Sequence, residues 1–374
     1  MMQREARVML AGGGTGGHVF PAIYIAKFLK EHWGAQCLFL GTKKGIEQLK
    51  VPQAGFVLKN IWISGIKRGI YLSNLLFPLK LVISLFQSRK EINAFKPDLV
   101  IGTGGYVSGP VLYQATKMNI PTAIQEQNSY PGITTRILST RVDRVFLAYE
   151  ESLKFLKPAP GYRIVGNPVP VNSENLSAAE ARKFFDLSDK QPIILVFGGS
   201  QGALSINNAL DILLSSEKLQ DLQIIWQTGL AHFDHYKEKY IKFKNPNLRI
   251  LPFIDRMDYA YLISDIAICR AGAMTISELA AAGLPAILVP LAHAAANHQL
   301  KNARTIEQGG GAIIIEDNQN ISDQLLSTLD TMLASKDKLK HMGQNIARFH
   351  KPEALIKITT ELKKMIQRNG HTDL

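Results

Sequence analysis

Cysteine is scarce: Cys37 and Cys269 are the only two in 374 residues. They fall in different halves, within apolar runs. That excludes a disulfide framework or a cysteine metal cluster and leaves buried free thiols in a reducing compartment. No run of about 18 apolar residues occurs, so no segment reads as a bilayer span. The opening residues, Met1 to Arg7, are polar and charged, and the apolar stretch behind them breaks at Gly12, so no signal peptide is expected. There is neither a D-x-D pair nor a histidine cluster, and no metal or other cofactor is expected. Acidic residues are sparse in one half only. Residues 1–164 hold 21 Lys/Arg against 9 Asp/Glu, whereas residues 165–374 hold 22 of each, so the first half carries the whole formal charge of +12. Such a field suits nucleic acid, anionic lipid or a phosphorylated substrate. The plainer alternative is unevenly spread solubility charge. No nucleic-acid motif appears, and no nucleic-acid partner is expected.

What is present is a chain that is 46% hydrophobic and long enough for two cores. Compact apolar runs read as strands at 7–11, 37–40, 99–102, 122–125 and 145–148, and again at 192–197, 224–227, 249–251, 266–269 and 286–289. Runs of this kind suit parallel strands buried on both faces, and the segments between them are long enough for crossover helices. The expected fold is α/β, with two Rossmann-like, doubly wound parallel-sheet domains facing a cleft. Pro158, Pro160, Gly161, Gly166, Pro168 and Pro170 mark a boundary, giving domains 1–164 and 165–350. Residues 351–374 form a terminal segment that completes the first domain. Its apolar residues, Leu355, Ile356, Ile358, Leu362, Met365 and Ile366, have helical spacing.

Three glycine-rich loops follow strands: GGGTGGH at 12–18, GTGGYVSGP at 102–110 and GGSQG at 198–202. Glycine lets the backbone turn at positive φ and lets a ligand approach. The helix behind each loop offers free N–H groups to an anion. One such loop reads most simply as a tight turn packing helix on sheet; three together favour a ligand site. A nicotinamide site does not fit. The spacing is not G-x-G-x-x-G, the second strand ends in Leu40–Gly41–Thr42 without a ribose-binding acid, and His18 sits where the first loop enters its helix.

These motifs, with EQN at Glu126–Asn128, GNPV at 166–169, RAGAMTISELAAAGLPAILVP at 270–290 and His298–Gln299, occur in the order seen in one family. The chain resembles the MurG family of bacterial glycosyltransferases over nearly its whole length. The resemblance implies a GT-B architecture, with the acceptor on the first domain and the nucleotide sugar on the second. It implies inverting transfer of N-acetylglucosamine (GlcNAc) from UDP-GlcNAc to the 4-hydroxyl of N-acetylmuramic acid (MurNAc). The acceptor would be undecaprenyl-pyrophosphoryl-MurNAc-pentapeptide, at the last cytoplasmic step of peptidoglycan precursor synthesis. Donor contacts are implied at Thr15, Gly16, Gly17, Asn128, Ser200, Ile254, Ala273, Met274, Thr275, Ile276, Ser277, Glu278 and Gln299, and acceptor contacts at Gly104, Gly105 and Tyr106. Ala273 to Thr275 precede a helical run starting near Ile276, whose free N–H groups suit a diphosphate. Glu278 suits ribose hydroxyls; otherwise it is an acid favoured by the helix dipole. An inverting transfer needs a base, and His18 titrates in the right range. The other reading is that its ring only orients substrate. Glu126 is the second candidate base. Two residues depart from the family pattern. Pro170 stands where an arginine usually follows GNPV, with Arg270 a candidate substitute, and Gln125 stands where a histidine often precedes EQN.

The stretch 70–90 is dense in apolar residues and too broken by Pro78 and Lys80 to span a bilayer. Leu75, Leu76, Phe77, Leu79, Lys80, Leu85 and Phe86, flanked by Lys67, Arg68, Arg89 and Lys90, read as an interfacial segment meeting anionic headgroups. An ordinary core helix with a basic outer face is the alternative. Location is expected at the cytoplasmic face of the bacterial inner membrane, peripherally attached. Two rival activities keep the fold: another UDP-sugar-dependent glycolipid transferase, and a UDP-GlcNAc epimerase that needs no lipid.

Overall fold

A computed structural model describes residues 5–65, 75–170, 176–189, 191–199, 201–241, 245–292 and 297–368. The chain divides into two units, Met1–Pro170 with Lys351–Leu374, and Val171–His350.

The first unit is built on β1 (Arg7–Gly12), β2 (Gln36–Gly41), β3 (Val57–Asn60), β4 (Leu99–Gly104), β5 (Thr122–Glu126), β6 (Arg144–Leu147) and β7 (Tyr162–Ile164). All pairs are parallel, in the order β3-β2-β1-β4-β5-β6-β7. Its helices are α1 (Gly16–Trp33), α2 (Glu47–Gln53), α3 (Phe77–Phe95), α4 (Gly105–Lys117) and α5 (Ile133–Leu138). Strand side chains alternate between two faces, and β1 shows what that achieves. Val8 and Leu10 join a core with Ile25 and Leu29 of α1, while Met9 and Ala11 join another with Val107 and Val111 of α4. Where β1 pairs β4, the register slips: Ala11 faces Gly102 but Gly12 faces Gly104. Thr103 is the extra residue of this bulge.

The second unit has β8 (Ile193–Phe197), β9 (Gln223–Gln227), β10 (Leu248–Leu251), β11 (Ile266–Cys269), β12 (Ala286–Leu288) and β13 (Ala312–Ile314), parallel in the order β10-β9-β8-β11-β12-β13. Its helices are α6 (Ala178–Phe185), α7 (Leu204–Ser215), α8 (Phe233–Ile241), α9 (Met257–Ile263), α10 (Ala273–Ala282), α11 (His298–Gln308), α12 (Ile321–Leu333) and α13 (Lys336–Ala347). Ile194 and Val196 pack with Ile206 and Leu325 on one face, and Leu195 and Phe197 with Phe185 and Leu279 on the other. Two such sheets, one of seven strands and one of six, make the fold GT-B-like.

Three strands are absent from the sequence reading: β3, β7 and β13. Each is a sheet edge. An edge strand is covered less and tolerates polar residues, as VLKN of β3 shows, with Val57 exposed. Both cysteines are free. Burial pushes the Cys37 thiol up to about 12, against the pull of Lys30, and pushes Cys269 up as well.

The chain closes on α14 (Ala354–Arg368), which packs back on the first unit. Ile358 and Leu362 are wholly buried there beside Val8, Leu10 and Leu29, whereas Ile356 faces outward. Ile358→Ala or Leu362→Ala should each cost about 2–5 kcal/mol of stability, measured by urea unfolding. A loss below about 1 kcal/mol would mean that α14 does not complete this core.

Candidate functional site

In the first unit, the loop after β1 is held from below by a residue that the sequence reading passed over. Glu47, fully buried at the start of α2, accepts hydrogen bonds from the Gly14 N–H at 2.9 Å, the Thr42 N–H at 2.9 Å and the Thr42 hydroxyl at 2.8 Å. A Cβ on Gly13 would lie 2.6 Å from its Oε1. No local pattern marks Glu47, because its partners lie up to 33 residues away. Thr15 is the N-cap of α1 and Gly16 and Gly17 are its first two residues, so the helix starts inside the glycine run. The Thr15 hydroxyl lies 3.2 Å from His18 Nδ1.

His18 is half-buried in the first turn of α1. Its Nδ1 lies 3.2 Å from the Gly13 carbonyl oxygen. A carbonyl only accepts, so this contact places the proton on Nδ1 and leaves Nε2 with the lone pair. Its own carbonyl accepts from Thr103 Oγ1 at 2.7 Å, so the bulge in β4 anchors the histidine. The imidazole lies against Gly104, whose φ is +108°; a Cβ there would come within 2.5 Å of Cδ2 and 3.0 Å of Nε2. Gly105 presses on the Gly13 backbone, and the half-exposed Tyr106 ring lies over Gly65. The structure thus brings His18, Gly104 and Gly105 together. Burial lowers the His18 pKa from the usual 6.5, while the charge of Glu126, the Gly13 carbonyl and the charge of Glu47 oppose that shift.

Glu126 is buried at the end of β5, and its carboxylate is fully engaged. Oε1 accepts from the Asn128 N–H and side-chain amide, both at 3.1 Å. Oε2 accepts from the Gly132 N–H at 3.0 Å and the Thr135 hydroxyl at 2.6 Å. Beside it, Gln125 donates to Asn167 at 3.1 Å, Asn167 donates to the Gln127 carbonyl at 3.3 Å, and Gln127 donates to the Thr103 carbonyl at 2.8 Å. This buried network ties the EQN and GNPV motifs to the bulge that anchors His18. It also gives Gln125 a structural place where a histidine was expected.

In the second unit, α10 begins at Ala273, so Ala273, Met274 and Thr275 form its first turn rather than precede it. N–H groups in a first turn have no acceptor within the helix. Ile276 is buried, and Ser277 donates to the Ala273 carbonyl at 3.0 Å. Glu278 Oε2 accepts from the Tyr261 hydroxyl at 3.0 Å. Tyr261, on α9, is a second residue that the sequence did not announce. The Ile254 side chain is core, and its N–H donates to Gln227 at 2.9 Å. Gln299 Oε1 accepts from the Leu291 N–H at 3.0 Å. Ser200 lies outside the described residues.

Arg270 is the candidate substitute for the missing arginine. Its guanidinium pairs with Asp317 at 2.7 Å and donates to the Val289 carbonyl at 3.0 Å and Ser205 at 2.9 Å, so its charge is already matched within the second unit. Among the described residues, no group of three or more His, Cys, Asp or Glu is arranged to hold a metal ion.

Helix α3 is turned against expectation for a core helix. Its buried residues are Ser84, Ser88 and Ile92. The two hydroxyls are satisfied by the Leu81 and Ser84 carbonyls, at 2.8 and 2.7 Å. Leu75, Leu76, Leu79, Val82 and Phe86 are exposed, with Arg89 and Lys90 exposed one turn further on. Phe77 packs inward, Leu85 is half-buried, and Lys80 donates to Ser64 at 2.8 Å. Lys67, Arg68 and residues 70–74 of the proposed patch lie outside the described residues.

Comparison with known proteins places both units. A glycosyltransferase family 28 N-terminal domain matches residues 8–147, and the family 28 C-terminal domain matches residues 193–358. An enzyme of Christiangramia forsetii is 41% identical, covering 98% of this chain and 99% of its own. One of Acetivibrio thermocellus is 40% identical, covering 91% and 92%. Both are named UDP-N-acetylglucosamine–N-acetylmuramyl-(pentapeptide) pyrophosphoryl-undecaprenol N-acetylglucosamine transferase. The crystal structure of Acinetobacter baumannii MurG is similar with a TM-score of 0.70 at 31% identity, covering 96% of this chain and 99% of that one.

A lowered His18 pKa makes a signed prediction. The unfolded chain takes up that proton more readily, so the residue's share of stability is present above pH 6.5 and is lost as pH falls through its folded pKa. In an NMR titration, His18 should show a midpoint below 6.5, and Glu126→Gln, which removes an opposing charge, should lower it again. A wild-type midpoint above 6.5 would show that the two carboxylates outweigh burial.

Proposed function

We propose the function from one premise: the chain belongs to glycosyltransferase family 28, and within it to the MurG enzymes. It is a UDP-N-acetylglucosamine transferase that moves GlcNAc from UDP-GlcNAc to undecaprenyl-pyrophosphoryl-MurNAc-pentapeptide, converting lipid I to lipid II in peptidoglycan precursor synthesis. The observation that carries this is identity of about 40% over nearly the full length of relatives bearing that name. Solved UDP-GlcNAc 2-epimerases share the fold at only 13% identity for a Listeria monocytogenes protein, which does not favour the epimerase reading.

The chemistry assigns roles to the residues. The 4-hydroxyl oxygen of MurNAc attacks the anomeric carbon of GlcNAc from the face opposite UDP. The bond to the diphosphate oxygen breaks, and UDP leaves with its electrons. His18 Nε2 takes the hydroxyl proton, because Nδ1 is committed to Gly13. Glu126 is a positioning residue in this scheme: its four hydrogen bonds shape the loop from Asn128 to Thr135 and leave little of it for a substrate proton. Gly104, Gly105 and Tyr106 border the acceptor, and Thr15, Gly16, Gly17 and Asn128 meet the donor sugar. The first turn of α10, with Ser200, offsets the charge on the departing diphosphate. Glu278, held by Tyr261, receives the ribose. Ile254 meets uracil, as the family resemblance implies, with its N–H held by Gln227 and its side chain in the core. Gln299 addresses the sugar.

Attachment to the membrane surface belongs to the same proposal. No described helix is long and apolar enough to cross a membrane. An exposed apolar stripe on α3 beside Arg89 and Lys90 supports a peripheral mode at the cytoplasmic, anionic face.

Two measurements test this reading. Labelled GlcNAc should pass from UDP-GlcNAc to a short-chain analogue of the acceptor, with EDTA present. His18→Ala should lower kcat about 100-fold or more while UDP still binds; a fully active variant would end the base assignment. Separately, Leu79→Ser with Phe86→Ser should weaken sedimentation with anionic vesicles about tenfold or more, without loss of transfer to the short-chain acceptor. Unchanged vesicle binding would remove α3 as the membrane face.

A further inference from the structure

In the second unit, β9 lies between β8 and β10. Its last residue, Gln227, is in register with Phe197 at the end of β8 and with Leu251 at the end of β10. The loops that leave those two strands therefore depart on either side of one side chain. Gln227 is 3% exposed, and both ends of its carboxamide are used. Nε2 donates to the Gly199 carbonyl at 2.8 Å, in the glycine loop after β8. Oε1 accepts from the Ile254 N–H at 2.9 Å, in the loop after β10.

The surrounding backbone is packed to match. A Cβ on Gly202 would lie 2.0 Å from the Thr228 carbonyl, and one on Gly229 would lie 2.4 Å from the Gln201 carbonyl. Asn207 donates to that same Thr228 carbonyl at 2.9 Å. The glycine loop therefore rests directly on the segment that follows Gln227.

We propose that Gln227 is a positioning residue for the nucleotide: one carboxamide sets the spacing between the loop that meets the diphosphate and the loop that meets the base. This rests on the reading that the second unit takes UDP-GlcNAc. The two arms are chemically distinct, because one must donate and the other must accept. A carboxylate keeps the acceptor for Ile254 but loses the donor, and turns an anion towards the Gly199 carbonyl. Methionine loses both arms at similar size.

The test is binding of UDP by calorimetry, and of uridine by ligand-observed NMR, to the full chain. Melting temperature is recorded for each variant. Gln227→Met should weaken UDP and uridine alike, by about tenfold or more. Gln227→Glu at pH 8 should weaken UDP by about as much and uridine far less. Relative to wild type at each pH, its UDP affinity should recover as acid protonates the carboxyl and restores a donor. If Gln227→Met does not fold, Gln227→Glu carries the test alone. Wild-type UDP affinity in a folded Gln227→Glu, or equal loss of UDP and uridine without recovery in acid, would overturn the role. A wild-type chain that binds no UDP would instead overturn the reading of the second unit.

Discussion

A parallel sheet stops forming its ladder of backbone hydrogen bonds at the carboxyl ends of its strands, while the chain there is still partly shielded from water. The N–H and carbonyl groups that water cannot reach in the loops beyond must find another partner. In this protein, side chains supply those partners. Glu47 collects the N–H groups of Gly14 and Thr42, Glu126 collects those of Asn128 and Gly132, and Gln227 serves Gly199 and Ile254. A buried carboxylate is costly unless hydrogen bonds replace its water. Glu47 receives three and Glu126 four. Loops made largely of glycine can then hold one shape although they have no side chains of their own to pack.

His18 sits where these supports converge in the first unit. Burial and the positive end of α1 both favour the neutral ring. Glu126 and Glu47 favour the imidazolium. The base role proposed for His18, taking a proton and then releasing it, needs such a balance. The geometry is equally specific. Gly13 sets which nitrogen carries the proton, Thr103 fixes the backbone, and Gly104 leaves room for the ring only because it lacks a Cβ.

Helix α3 shows the same economy on the surface. Its serines satisfy themselves on their own helix carbonyls, so they can face inward. Leu79, Val82 and Phe86 are left to solvent. An exposed apolar face on a helix that buries serine is the feature on which the proposed membrane contact rests.

The sequence alone determined the α/β class, because buried parallel strands leave continuous apolar runs such as IILVF at 193–197. It also located the glycine loops, His18 and the Glu126 motif, since those are local and ordered along the chain. It missed β3 and β7, edge strands that carry polar residues, and β13, an apolar edge strand of only three residues. Only the tertiary structure decided what the acids do. Glu47 reaches 33 residues back to Gly14, and Thr135 reaches nine back to Glu126, so no spacing rule connects them. It decided likewise that Arg270 is matched by Asp317, that Phe77 turns inward, and that Gln227 stands between two loops. Local pattern reports which groups must be buried; which partner then satisfies each one depends on strand order and register, and those arise only when the sheet assembles.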